Sequence, residues 1–139
     1  MCLTVRQPWA WALTAGVKDV ENRGWRTAHR GLLVIHAGAK VDPAGYLFCR
    51  RLGLTVPDDV ALGAAVGTVE LDGCVWDSRS PWAMKDHWNW LVTWSASFSD
   101  PVPMRGMPGL FRAPAVLADR ITDASRQAQQ LMTDHHPGP

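Results

Sequence analysis

The sequence predicts an α+β domain built on a small, strongly curved β-sheet or barrel flanked by a few helices. Three observations carry that expectation. Short segments rich in β-branched, aliphatic and aromatic residues recur along the chain. Glycine and proline, 12 and 10 of 139 residues, interrupt them at close intervals. Only two or three stretches show helical spacing, and they do not alternate regularly with the strands as in a doubly wound sheet.

Leu3 to Arg6 reads as a first strand. It runs into a helix for which Pro8 suits the first position and Gly16 the position past the end, with Trp9, Ala12 and Leu13 on one face. Val20 to Trp25 reads as extended, which places Glu21 and Arg23 on the same side because strand side chains alternate. Gly31 to His36 is an apolar run of the kind buried on both faces. Asp42-Pro43 offers a cap and a first-turn proline for a helix through about Leu52, stopped by Gly53.

A strand over Ala65 to Val75 should turn Val69 and Leu71 inward and Thr68, Glu70 and Asp72 outward. Asp77 to Asp86 reads as a loop, and His87 to Trp94 as a strand with Trp88, Trp90, Val92 and Trp94 on one face. Pro108-Gly109 suits a type II turn. Phe111 to Val116 reads as a closing strand. Ile121, Ala124, Ala128 and Leu131 mark a closing helix over Ala118 to Met132. The expected organisation is one domain over residues 1–117, a C-terminal helix at 118–133 packed on it, and a frayed tail at 134–139.

A chain of 15.3 kDa with 47% hydrophobic and 19% charged residues can bury one core and is neither disordered nor membrane-spanning in composition. Its start has no secretory pattern, so a cytoplasmic location is expected. Cys2, Cys49 and Cys74 are too few and too irregularly spaced for a disulfide framework or a Cys-x-x-Cys clamp; no metal and no cofactor are expected. Net charge is only +1, with 14 Lys plus Arg against 13 Asp plus Glu. A protein gripping many phosphates is usually far more basic. Positive charge is instead local, in Lys18, Arg23, Arg26 and Arg30 beside Asp19 and Glu21. Eight tryptophans against one tyrosine and three phenylalanines supply flat faces that serve either a core or an unpaired base.

Three segments at the start of the chain carry a resemblance: Leu3-Thr4-Val5-Arg6-Gln7-Pro8-Trp9-Ala10, then Gly16-Val17-Lys18-Asp19-Val20-Glu21-Asn22-Arg23, then Trp25, Thr27 and His29-Arg30-Gly31. They resemble the opening of the ASCH domain, the activating signal cointegrator homology family. Glu70-Leu71-Asp72, Trp88-Asn89-Trp90 and the stretch from Pro101 to Phe111 resemble later parts of it, so the likeness covers roughly Leu3 to Pro114. It implies a PUA-like β-barrel fringed by helices, and a cleft between the first helix and the barrel, lined by the Gly-x-Lys-x-x-Glu-x-Arg segment, that receives a nucleotide. The family includes proposed RNA-binding domains, ribonucleases and amidohydrolases of an acetylated cytidine.

The expected function is therefore binding of RNA or another single-stranded or modified nucleic acid, with no membrane partner. Arg23 can fork onto phosphate or a base edge, Lys18 supplies a point charge, and Glu21 can accept from an exocyclic amine or hold Arg23. Trp9 and Trp90 are candidate stacking surfaces, and Gln7, Arg26 and Arg105 complete the expected contact set. The alternative is a metal-independent ribonuclease or modified-nucleoside hydrolase with Lys18 and Glu21 as catalytic residues. The amidohydrolases that the family resembles place a threonine three residues after the lysine. That position is Glu21 here, which weakens a deacetylation chemistry.

Overall fold

The fold was obtained as a computed structural model that describes residues 1–134. The elements run β1 (Cys2–Gln7), α1 (Trp9–Thr14), β2 (Val20–Arg23), β3 (Gly31–Val41), α2 (Pro43–Arg51), β4 (Ala64–Val75), β5 (Trp88–Pro103), β6 (Leu110–Phe111), a 3₁₀ turn (Ala115–Leu117) and α3 (Ala118–Asp134). The strands form one six-stranded sheet in the order β2-β5-β4-β3-β1-β6. β1 and β3 are parallel, and every other ladder is antiparallel. The sheet is mixed, and among the described residues no ladder joins β2 to β6 to close it into a barrel. Register shifts in the β1–β3, β3–β4 and β4–β5 ladders bend it.

Local signals explain most element ends. Gly16, at φ +80°, follows α1. Asp42 caps α2 by accepting from the Ala44 amide, with Pro43 in the first turn and Gly53 just beyond the last. β3 is buried on both sides as expected, Leu33 and Ile35 packing into one cluster and Val34 into another. The first cluster also takes Leu3, Val5, Val69, Leu71 and Trp90 from the sheet, and Ala10 and Leu13 from α1. The second seats Leu117 and Ile121 of the C-terminal segment against Cys2, Ala65, Val102 and Phe111.

Other expectations are corrected. The strand expected to end near Trp94 runs on to Pro103. It tolerates Pro101 because the register jumps from Gly67 opposite Ser97 to Ala65 opposite Val102, so Pro101 falls where pairing is interrupted. The strand expected over Phe111 to Val116 stops at Phe111: Pro114, which has no amide to donate, opens the 3₁₀ turn. Thr68 does not face solvent. It is fully buried because α3 covers that side of β4, and it borders a small hollow with Ser97 and Ala124. The expected frayed tail, apart from Asp134, lies outside the described residues, as do His135 and His136. No described helix is long and apolar enough to cross a membrane.

Candidate functional site

A cleft of about 760 Å³ opens where the ends of β1 and β2, the two N-terminal helices and the 77–87 segment meet. That volume lies within the roughly 300–1,000 Å³ of pockets that take small ligands. Its charged wall is the Gly-x-Lys-x-x-Glu-x-Arg segment. Alternation along β2 puts Glu21 and Arg23 on the same side, as the sequence required, and the backbone after α1 brings Lys18 to meet them. Lys18 Nζ lies 3.2 Å from Glu21 Oε1, and Arg23 Nε and Nη2 each lie 2.9 Å from Glu21 Oε2. Arg23 Nη2 also donates to the Thr4 carbonyl at 2.8 Å, tying β2 to β1.

Both Glu21 oxygens are thus occupied, and two cations around one carboxylate leave the wall positive. Lys18 and Glu21 are 5% and 6% exposed. The side chain of Arg23 retains 25% exposure, so it is the member of the trio that can reach a ligand. Lys18 Nζ also stands 4.8 Å over the Trp9 ring, a cation–π contact that holds the indole against the ion pair.

The aromatic wall is assembled from distant parts of the chain. Trp9 is held by its indole N–H donating to Asp42 at 2.8 Å. Its ring packs on Phe48 and, edge-on, on Trp82. α2 approaches Trp9 closely because residue 45 is glycine: a Cβ there would sit 2.7 Å from Pro8 and 2.9 Å from Trp9. Trp25, 40% exposed, lines the same cleft and rests edge-on against Trp90 with ring centroids 4.7 Å apart.

The 77–87 segment is pinned to β2 and β5 by two side-chain amides, a half-buried one and a buried one. Asn22 donates to the Trp82 carbonyl and accepts from the Met84 amide and from Asn89, while Asn89 accepts from the Ser78 amide. This network fixes Trp82 and Met84 as cleft residues without any regular secondary structure.

Of the residues singled out from sequence, Trp9, Lys18, Glu21 and Arg23 come together here. The others do not. Gln7 is 1% exposed and spends its amide on the Ala61 carbonyl and the Trp11 N–H, so it fastens α1 and meets no ligand. Trp90 is fully buried, with its indole N–H on the Trp25 carbonyl, so it cannot stack a base; it supports the tryptophan that is exposed. Arg26 lies outside the cleft lining, over the Trp88 ring at 5.2 Å. Arg30 caps the Thr27 and His29 carbonyls. The basic segment therefore splits, and only Lys18 and Arg23 face the cleft. Arg105 lines a separate hollow. Sequence reasoning missed Phe48, Trp82 and Met84, and gave Trp25 no contact role.

No metal-binding group of His, Cys, Asp and Glu exists among the described residues. Burial pushes the Cys49 thiol above its ordinary range, with Lys18 pulling it partly back, so this neighbour of the cleft remains a neutral packing residue.

The sequence pattern of the ASCH domain matches residues 3–99. The chain belongs to the ASCH domain family. It is similar to activating signal cointegrator 1 of Homo sapiens, 40% identical over 82 residues, a match covering 53% of this chain and 14% of that protein. The Mus musculus protein of the same name is 39% identical over the same share. The chain thus matches a small part of these longer relatives. The whole Gly-x-Lys-x-x-Glu-x-Arg wall and the Trp25 side of the cleft lie inside the ASCH match.

Proposed function

We propose that this ASCH domain binds single-stranded nucleic acid, RNA before DNA, by admitting one unpaired nucleotide to the cleft. The observation that carries this reading is the pairing of a half-exposed tryptophan, Trp25, with a fixed guanidinium, Arg23, in one hollow large enough for a nucleotide. A splayed base finds an aromatic face, and its phosphate or base edge finds a pre-oriented fork. Glu21 serves as the anchor that orients both cations. Near-neutral overall charge agrees with recognition through few phosphates.

The alternative, metal-independent hydrolysis by Lys18 and Glu21, needs a carboxylate or amine free to take a proton. Both Glu21 oxygens are engaged and Lys18 is paired beneath Trp9, an arrangement that supports recognition over catalysis.

The test is fluorescence anisotropy with a labelled single-stranded RNA. Trp25→Ala should weaken binding by about 5- to 150-fold, the equivalent of about 1–3 kcal/mol for one stacked base. With about two phosphates neutralised, a fourfold rise in salt should weaken the wild type by only about sevenfold. Equal affinity of wild type and a folded Trp25→Ala variant would refute the reading.

A further inference from the structure

A second hollow of about 480 Å³ lies next to the cleft, and Thr4 and Arg23 border both. Its far side is the segment from Met104 to Gly109. That segment is held in place by packing and hydrogen bonding together. The Met104 carbonyl lies 2.8 Å from His36 Nε2, and His36 Nδ1 lies 3.1 Å from the Thr4 hydroxyl. Gly106 sits directly on this pair: a Cβ there would be 2.5 Å from Thr4 Oγ1 and 2.8 Å from the His36 ring. Any side chain at 106 would push the segment outward.

Arg105 is therefore presented from an anchored backbone. It is exposed and has no carboxylate partner among the described residues. Its neighbour Met107, 59% exposed, adds an apolar surface. A hollow with a cation at its rim, an apolar side and four glycines in its lining, Gly38, Gly63, Gly106 and Gly109, suits a sugar-phosphate unit and does not demand a particular base.

We propose that the two hollows form consecutive subsites, so that the ligand is a strand of at least two nucleotides. The nucleotide in the cleft is preceded on its 5′ side by one beside Arg105, and the phosphate joining them passes over Arg23. Arg23 suits that place because its Nε and Nη2 are already committed to Glu21 and Thr4, while Nη1 makes no bond among the described residues. A guanidinium held on one edge can present the other to phosphate without losing freedom on binding.

This inference rests on the nucleotide-cleft reading, and the experiment separates the two. Affinities for a ribonucleoside 5′-monophosphate and for the dinucleotide and trinucleotide that extend it are measured by tryptophan fluorescence on wild type, Arg105→Ala and Trp25→Ala. In the wild type the dinucleotide should bind about tenfold tighter than the monophosphate, as one added charge-assisted contact allows. Arg105→Ala should bring that ratio close to one, whereas Trp25→Ala should weaken all three ligands alike. A wild-type ratio near one, or a ratio that Arg105→Ala leaves intact, overturns the two-subsite inference while leaving the cleft reading standing. Failure of all three ligands to bind the wild type overturns the cleft reading itself, and the inference with it.

Discussion

Glu21→Gln is expected to destabilise the protein by about 3–5 kcal/mol and to lower its Tm by on the order of 10 °C. The substitution preserves size but removes the charge and turns one of the two acceptor oxygens into a donor, so Lys18 at 5% exposure has no counter-ion, and it competes with Arg23 for the one acceptor left. An uncompensated buried ammonium is far more costly than the original pair was stabilising, since the pair itself roughly offsets its own desolvation. For the same reason Lys18→Met combined with Glu21→Gln should recover part of the loss. Thermal and urea unfolding of the two variants would check this. A Glu21→Gln Tm within about 2 °C of wild type would show that the carboxylate is not needed as the counter-ion of Lys18.

The second large effect is at Trp90. Trp90→Ala should cost about 3–5 kcal/mol, the usual range for emptying a buried tryptophan site, because Trp90 is fully enclosed among Leu33, Val69 and Leu71 of the main core. It should also weaken RNA binding beyond what global unfolding explains, since Trp25 loses both its edge-on partner and the indole donor to its carbonyl. Trp90→Phe keeps a ring but no donor and should fall between the two. Urea denaturation gives the stability change, and anisotropy under conditions where the variant remains folded gives the binding change. A stability loss below about 1 kcal/mol for Trp90→Ala would contradict its place in the core.

How far the site could be read from sequence follows from the range of the interactions that make it. β1, α1, β2 and α2 were legible because their signals are local: Pro8 and Gly16 around α1, Asp42-Pro43 opening α2, and period-two alternation placing Glu21 with Arg23.

Trp82 was invisible because its place depends on Asn22 bonding across 60 residues and on Asn89 bonding across 67. Alternation correctly grouped Trp88 with Trp90, but it could not say that Trp90 alone is fully covered. That follows from the packing of α1 and of the inward side chains of β3 and β4 into the same core cluster. Thr68 was misjudged in the same way, its outward face being roofed by a helix more than 50 residues later in the chain. The basic segment is a further case. Lys18 and Arg23 are drawn into the cleft by Glu21, while Arg26 lies over the distant Trp88 ring and Arg30 bonds carbonyls beside it in the chain.

The central claim, that the cleft admits a nucleotide, is tested most directly by following the tryptophan indole N–H signals of ¹⁵N-labelled protein as a short single-stranded RNA is added. Trp9, Trp25 and Trp82 line the cleft, whereas Trp94 stands opposite Glu70 on a different part of the sheet. Shifts concentrated in the Trp9, Trp25 and Trp82 signals, with Trp94 still, are the expected result. An RNA that binds while those three signals stay fixed would place its site elsewhere and contradict the account.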